Sequence, residues 1–342
     1  MIATPRVSVI AQCYNHERFV IECLNSIKAQ KYHDYELIVV DDCSTDKSPA
    51  LIRDWIGRNQ PLDPHFISLE ENVGVCKALN RAMRVAKGEY ITHVATDDIW
   101  SHHFLDRLVE RFDRLSNSYG AIFSDAVCID ESGSLLHPSF IELYHQKSGA
   151  DPRFMFLNSD EFTRCTGGNI FDILCYYNFI PASGIMLRSS VLEIVGYYDE
   201  SLAYEDWDMW LRIAERFRFD WVSEPLLSYR IVANSLHQTL HVKDGSLNSD
   251  AQATNCKMAL RLVRSKKMTN SARRMWIHTL CNSASVLYKM NDARAPAFLR
   301  QSAFLSFRPR HCLLALAATF GFSFRRLSFL SRSASTKSMA VE

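Results

Sequence analysis

Short apolar runs alternate with helical patterns through the first 130 residues, and this alternation restricts the fold more than any other feature. Residues 35–40 form the clearest apolar run, which is typical of a strand buried on both faces. Helical patterns separate it from further predicted strands at residues 7–10, 66–69, 90–96 and 121–129. The alternation predicts an α/β fold with a doubly wound, mostly parallel sheet.

The pattern changes twice further along the chain. Glycines and prolines interrupt residues 131–180, which we interpret as loops and short pieces. From about residue 250 the pattern is mostly helical. A chain of 342 residues is long for a single core. We therefore predict an α/β domain over residues 1–240 and a helical, basic C-terminal region over residues 241–342.

Composition and charge exclude several classes of protein. The formal net charge is +1, which gives no global electrostatic reason to bind nucleic acid. Ten cysteines occur without a CxxC pair, so we expect reduced, mostly buried thiols in a cytoplasmic protein. The N-terminus lacks a signal-peptide pattern, and the longest apolar stretch, residues 312–324, is too short to span a bilayer.

Acidic pairs follow two of the predicted strands, Asp41-Asp42 after the second and Asp97-Asp98 after the fourth. Parallel sheets bind ligands at the carboxyl ends of their strands. No glycine-rich phosphate loop is present, and carboxylates hold a diphosphate only through a bridging Mg²⁺ or Mn²⁺. One pair alone is equally explained by a capped, solvated turn. Two pairs in one sheet favour a metal-bound nucleotide.

A further aspartate begins the helix predicted from about residue 206 to residue 217. Asp206, Trp210 and Ile213 share one helix face, so Asp206 heads the apolar stripe. Such an aspartate either caps its own helix or acts as a general base on a hydroxyl group. The helix N-terminus favours its ionised form in both cases.

The order and spacing of these motifs resemble the inverting glycosyltransferases of family 2, which have the GT-A fold. The resemblance covers about residues 5–235. It rests on Val7–Ile10 with Tyr14-Asn15, Ser26-Ile27 with Gln30, Glu36–Asp42 with Ser44–Asp46, Asn72–Gly74, Ala78–Asn80, Gly88–Ile91, Asp97-Asp98, and Glu205-Asp206 with Trp210–Arg212.

The resemblance implies a role for each matching position. Tyr14 would stack near the nucleobase, and Asp42 would hydrogen-bond it. Asp98 would be the direct metal ligand, with Asp97 directed toward the ribose or the donor sugar. Asp206 would be the catalytic base. Inversion would follow from a single displacement, in which the metal stabilises the leaving nucleoside diphosphate.

Two other positions have less specific roles. Related enzymes have a similar Tyr-Arg pair where this chain has Tyr229-Arg230, so Arg230 either contacts the diphosphate or forms a structural ion pair. His237 either reaches the metal or is structural or exposed. The QxxRW motif of processive synthases is absent, which favours the addition of a single sugar.

The C-terminal region is basic and apolar. No acidic residue occurs between Asp292 and Glu342. Eight basic residues occur there, namely Arg294, Arg300, Arg308, Arg310, Arg325, Arg326, Arg332 and Lys337. Basic residues among large apolar ones suit an anionic membrane surface. The alternative is a helical appendage packed on the α/β domain; RNA binding is less favoured because no recognition module is present.

These features predict a metal-dependent, inverting, hexosyltransferase-like enzyme. It would move one sugar from a nucleoside-diphosphate sugar to a hydroxyl of a cell-surface glycan or lipid-linked saccharide precursor. We expect it in the cytoplasm, peripheral to the inner face of the cytoplasmic membrane. Two alternatives stay open. A sugar nucleotidyltransferase would require a basic, glycine-rich loop that residues 7–18 lack, and the intact Asp98 and Asp206 argue against an inactive binding module.

Overall fold

The computed structural model of the protein describes residues 4–59, 64–148, 159–233, 240 and 246–319. The chain divides into two compact units. The first unit consists of Met1–Glu200 and Glu205–Ser235, and the second of Ser201–Tyr204 and Leu236–Glu342.

The first unit is built on one mixed sheet. Its strands in the described ranges are β1 Val7–Cys13, β2 Tyr35–Asp41, β3 His65–Ser68, β4 Tyr90–Ala95, β5 Ile99–Trp100, β6 Tyr119–Ile129, β7 Leu135–His137, β8 Ile185–Arg188 and β9 Arg218–Arg230. The spatial order is β3-β2-β1-β4-β8-β6-β9-β5, and β7 pairs with β6. The first four strands in this order are parallel, whereas β8 runs antiparallel to both of its neighbours. The predicted α/β class is confirmed.

The first unit also contains helices, which are interspersed with the strands along the chain. Those of the first unit are α1 Val20–Lys28, α2 Ser48–Arg58, α3 Val75–Val85, α4 Phe104–Asp113, α5 Phe140–Ser148, α6 Ser159–Thr166, α7 Phe171–Leu174, α8 Ser190–Val195 and α9 Asp206–Ala214. Three of these, α5 to α7, lie in the segment that we predicted as loops and short pieces. Each is shorter than three turns, so the sequence shows little helical periodicity there.

Strand register brings the predicted motifs together at one edge of the sheet. Strand β1 lies between β2 and β4, with Cys13 paired to Asp41 and Gln12 paired to Ala95. All three strands are parallel, so the residues that follow them leave the sheet side by side. The buried apolar side chains of β1 and β2 hold this edge in place.

The turn between α3 and β4 approaches β1 closely. The Gly88 N–H donates to Ser8 Oγ at 2.8 Å, and Ser8 Oγ donates to Glu36 Oε1 at 2.6 Å. A Cβ atom at Gly88 would lie 2.5 Å from the Ser8 backbone nitrogen and 2.7 Å from the Tyr90 carbonyl oxygen. Both are backbone atoms of the sheet, so they have little freedom to move away.

We therefore expect Gly88→Ala to lower the free energy of unfolding by about 1–3 kcal/mol, as overpacking does. The matched control is Gly57→Ala. Gly57 lies in α2, and a Cβ there meets nothing within 4 Å. The control should be neutral or stabilising by up to about 1 kcal/mol, because alanine is the better helix former. Urea unfolding measures both, and equal stability of the two variants would contradict the prediction.

The second unit is helical. Its described helices are α10 Ser249–Leu262, α11 Asn270–Lys289, α12 Ala295–Ser306 and α13 Pro309–Thr319, each packed against the next. None of the helices in the described part of the chain is long and apolar enough to cross a membrane. None of the ten cysteines, all of which lie in the described ranges, forms a disulfide bond.

Candidate active site

The loops after β1 and β2 are locked together by side-chain hydrogen bonds. The Ser44 hydroxyl donates to Asp41 Oδ1 at 2.6 Å, and the Asn15 N–H donates to Ser44 Oγ at 2.8 Å. In return, the Thr45 N–H donates to Asn15 Oδ1 at 2.8 Å. Asn15 has a φ of 57°, a left-handed conformation that asparagine tolerates better than most residues. These hydrogen bonds fix the two loops relative to each other, and we call the set Asn15, Asp41, Ser44 and Thr45 the polar rim.

Tyr14 and Asp42, predicted at the nucleobase, lie in different surroundings. Tyr14 is exposed, whereas the carboxylate of Asp42 is buried. The N–H groups of Val73 and Gly74, at the start of α3, donate to Asp42 at 2.8 and 2.9 Å. Burial raises the pKa of Asp42, and these two donors oppose that shift. Asp42 thus fixes the start of α3, and its contact with a base stays a prediction.

Asp97 and Asp98 follow β4 and differ in how they are held. Asp98 is buried, and its Oδ1 accepts the Arg230 N–H at 2.8 Å. The Asp97 carboxylate accepts no hydrogen bond within the described ranges, and His16 Nε2, which is charged only when protonated, lies 3.7 Å from its Oδ2. Burial, followed by the neighbouring Asp97 charge, raises the pKa of Asp98 well above its usual range, and the Ser183 hydroxyl and Arg230 oppose that shift. Two adjacent carboxylates in such surroundings suit a divalent cation.

Arg230 is the last residue of β9 and is almost fully buried. Its guanidinium donates to the Asp97 carbonyl at 2.8 Å and forms an ion pair with Glu22 at 2.7 Å. It also donates to the carbonyls of Asp130 and Glu131, at 3.1 and 3.3 Å. The ion pair that the sequence left open as its alternative role is therefore present. A diphosphate contact by Arg230 stays a prediction.

Asp206 is the first residue of α9, as predicted. Its Oδ1 accepts the Trp207 N–H at 2.6 Å, and its Oδ2 accepts Asn178 Nδ2 at 2.7 Å. The Ile180 N–H donates to Asn178 Oδ1 at 3.3 Å, so the amide is oriented with its NH₂ toward the carboxylate. Burial raises the pKa of Asp206, and both donors oppose the shift.

Glu205 lies directly before Asp206 and titrates with it. Burial, with the Asp206 charge as the second cause, raises the pKa of Glu205 to about 8. Two adjacent carboxyl groups in a partly buried site do not ionise independently. At neutral pH the pair therefore keeps a proton between its two carboxyl groups.

Tyr144 on α5 packs near the end of β9. Burial is the largest cause that raises its pKa. Its ring stacks on Phe140 with centroids 4.1 Å apart, and Phe140 in turn contacts Tyr229 at 5.0 Å. Residues 178–183 link the end of β4 to the start of α9, because Asn178 donates to Asp206 at 2.7 Å and Ser183 Oγ accepts the Ala95 N–H at 3.1 Å.

Sequence reasoning missed Asn178, Tyr144 and His16. Asn178 is a polar residue in the otherwise apolar stretch of residues 177–181, a signal that was available. Tyr144 lies in the segment that we predicted as loops, so its face could not be assigned. His16 Nδ1 lies 2.9 Å from Thr96 Oγ1, and nothing in the sequence indicates this pairing. His237, predicted to reach the metal, lies outside the described residues.

Within the described ranges, no group of three or more His, Cys, Asp or Glu side chains is arranged to hold a metal. A metal in this site would therefore need ligands from a bound molecule as well as from the aspartates. Mg²⁺ and Mn²⁺ sites that share ligands with a diphosphate have this property.

Comparison with known proteins identifies the family. The model of the family described as "Glycosyl transferase family 2" matches residues 8–173. This segment contains the polar rim, Asp97 and Asp98. Residues 8–173 belong to glycosyl transferase family 2. The predicted family is confirmed.

Curated relatives of this family 2 chain include glycosyltransferases from distant organisms. An uncharacterized glycosyltransferase of Methanocaldococcus jannaschii is 28% identical over 232 residues, which cover 66% of this chain and 71% of the relative. The glycosyltransferase TuaG of Bacillus subtilis, assigned to teichuronic acid biosynthesis, is 35% identical over 108 residues. These cover 31% of this chain and 41% of TuaG.

Solved structures confirm the GT-A fold of this family 2 enzyme. TarS 1–349 of S. aureus, in complex with UDP-GlcNAc, has a TM-score of 0.58 at 18% identity and covers 93% of each chain. The mannosyltransferase PcManGT of Pyrobaculum calidifontis, in complex with GDP-Man and Mn²⁺, has a TM-score of 0.54 at 19% identity. It covers 97% of this chain and 85% of its own. At these identities the likeness shows the fold alone.

Proposed function

We propose that the chain is a metal-dependent, inverting glycosyltransferase that adds one hexose from a nucleoside-diphosphate sugar to an acceptor hydroxyl. One observation carries this proposal: the segment of residues 178–183 hydrogen-bonds Asp206 at one end, through Asn178, and the last residue of β4 at the other end, through Ser183. An acidic pair suited to a cation and a carboxylate suited to a proton are thus combined in one site, as glycosyl transfer requires.

Asp98 would hold Mn²⁺ or Mg²⁺, with Asp97 toward the ribose or donor sugar. Burial and the adjacent Asp97 charge disfavour an ionised Asp98 in the absence of a cation, which supports the assignment, as does the Mn²⁺ bound with GDP-Man in PcManGT. The ion would neutralise charge on the leaving diphosphate. Tyr14 would stack near the base and Asp42 would hydrogen-bond it, while His237 is proposed as a further ligand. Arg230 stabilises the loop that contains Asp97 and Asp98, because its N–H donates to Asp98 Oδ1 and its guanidinium donates to the Asp97 carbonyl.

Asp206 would accept the proton of the acceptor hydroxyl as that oxygen attacks the anomeric carbon. Asn178 and the Trp207 N–H orient its carboxylate from two sides. Attack from the face opposite the leaving group inverts the anomeric configuration in a single displacement. Tyr144 and α5 would shield this space from water, which otherwise competes with the acceptor.

The acceptor is proposed to be a hydroxyl of a cell-surface glycan or a lipid-linked saccharide precursor. TuaG is assigned to teichuronic acid biosynthesis, which supports a polysaccharide product. A lipid-linked acceptor would be presented at the inner face of the cytoplasmic membrane, where we place the enzyme as a peripheral protein.

A donor-hydrolysis screen over uridine, guanosine and thymidine diphosphate sugars, with Mn²⁺ and with EDTA, tests the proposed activity. We expect one nucleotide class to be hydrolysed and EDTA to stop the reaction. Hydrolysis that is equally fast in EDTA would contradict the metal dependence, and release of pyrophosphate from a nucleoside triphosphate would identify a nucleotidyltransferase instead.

Asn178→Ala should move the acidic limb of the pH profile of kcat/KM to higher pH. The Asn178 amide stabilises the charged form of Asp206, so its loss should raise the pKa of Asp206. As the pH decreases, the rate should then begin to fall at a higher pH than in the wild type. The rate at high pH should also fall, since the carboxylate is less well oriented.

The control for this variant is Asn169→Ala, because Asn169 is exposed and contacts only its local turn. This control should keep the wild-type profile. Glu205 shares the titration, so Asn178→Ala is also compared in a Glu205→Gln background, where a single ionisation should remain. A profile that is lower for Asn178→Ala but not shifted would limit Asn178 to a packing role.

A further inference from the structure

The outward faces of α12 and α13 carry large apolar side chains that no residue in the described ranges covers. Phe304 and Phe307 are 73% and 78% exposed, and their ring centroids lie 6.1 Å apart. Leu313 and Leu316 are also exposed and lie three residues apart on α13. The inward residues of the same helices, such as Phe298, Leu299 and Ala315, are buried. The helices therefore have a normal core side and, in addition, an apolar outer side.

Phe307 occupies a position that usually selects glycine. It is the C-cap of α12, with a φ of 51°, in the left-handed region that bulky residues rarely adopt. Its side chain makes little compensating packing, because it is exposed. A strained and exposed aromatic residue gives no benefit to the folded unit itself. A contact outside the chain would account for it.

The charge around these side chains has one sign. Arg300 and Arg308 are exposed and flank Phe304 and Phe307 along the same stretch. No acidic residue occurs in the sequence between Asp292 and Glu342. A second copy of the chain is a poor partner, since a two-fold contact would set Arg300 and Arg308 against an equally basic patch. An anionic partner with an apolar interior satisfies both properties.

We propose that Phe304, Phe307, Leu313 and Leu316, with Arg300 and Arg308, form a docking surface for an anionic lipid bilayer. The arginines contact lipid phosphates, and the phenylalanines and leucines enter the boundary between headgroups and acyl chains. This inference deepens the proposed membrane location by assigning it to these residues. It is tested without any transfer assay, so its failure would leave the proposed activity untouched.

The test is co-sedimentation of the full chain with vesicles of phosphatidylglycerol and phosphatidylcholine. We expect Phe304→Ser combined with Phe307→Ser to lower the partition coefficient at least about tenfold, at low and at high salt, because apolar insertion is not screened. Arg300→Gln combined with Arg308→Gln should lower it at low salt only. The matched control is Leu135→Ser combined with Leu136→Ser, which removes exposed leucines of β7. It should bind as the wild type does.

Phe307→Gly separates docking from folding. Glycine adopts a φ of 51° without strain, so this variant should melt at a higher temperature than the wild type and yet bind vesicles less well. A residue that serves only the fold would not produce this opposite pair of effects.

Three results would overturn the proposal. The wild type could ignore anionic vesicles at low salt. The Phe304→Ser, Phe307→Ser variant could bind them as the wild type does, which would assign binding to another part of the chain, such as residues 320–342. Alternatively, the wild type could be a dimer in ultracentrifugation that this variant converts to a monomer, and the surface would then be an interface between copies.

Discussion

Asp206→Asn should lower the transfer rate at least about 10²-fold, the lower range for loss of a general base. The amide has the shape of the carboxylate and can still accept the Trp207 N–H, so α9 should keep its start. It cannot take a proton from the acceptor. Donor affinity should stay close to that of the wild type, because the donor is bound at the other end of the site. Transfer kinetics and calorimetry with the donor measure the two effects separately.

The matched control for this substitution is Asp208→Asn on the same helix. Asp208 forms an ion pair with Arg212 at 2.8 Å and is buried, so its loss should reduce stability rather than turnover per folded molecule. Near-normal transfer by Asp206→Asn would show that Asp206 only stabilises its helix. A tenfold loss of donor affinity would instead place Asp206 at the donor.

Asp98→Asn should remove the effect of Mn²⁺ on donor affinity and lower transfer at least about 10²-fold, because the metal supplies several kcal/mol of charge stabilisation. The amide oxygen can still accept the Arg230 N–H, so the loop after β4 should keep its position. Calorimetry with the donor, with and without Mn²⁺, measures the effect. Asp54→Asn on the surface of α2 is the control and should change neither value.

Asp97→Asn is the informative comparison, because Asp98 accepts the Arg230 N–H, whereas the Asp97 carboxylate accepts no hydrogen bond within the described ranges. We expect it to weaken donor binding while a response to Mn²⁺ remains. If Asp97→Asn removed the Mn²⁺ response and Asp98→Asn kept it, the roles of the two residues would be exchanged. Asp98 would then be the buried support of the metal ligand.

The positions of the two acidic pairs follow closely from the sequence, and the reason is local. Asp41 is the last residue of β2 and Asp42 follows it, while Asp97 and Asp98 come just after β4. The parallel register of these strands with β1 then sets the two pairs side by side. A strand and its following turn are contiguous in the chain, so short-range patterns suffice to place them.

Other contacts depend on residues far apart in the chain. Arg230 reaches Glu22, 208 positions away, and Asn178 reaches Asp206 across 28 positions. Asp208 and Arg212 are four residues apart, which places them on one face of α9, and they form an ion pair there. That face is buried, because Arg212 donates to the Val195 carbonyl at 2.6 Å. A periodic pattern shows that residues share a face and cannot show what covers it.

The position of Arg230 at the end of β9 has a consequence for how the enzyme matures during synthesis. Segments of the chain leave the ribosome in order, and residues 8–173, which define the family, leave first. They contain both Asp97 and Asp98. Arg230, which donates its N–H to Asp98 Oδ1 and its guanidinium to the Asp97 carbonyl, is synthesised later. A nascent chain should therefore complete the support of this acidic pair late and in one step, when β9 enters the sheet.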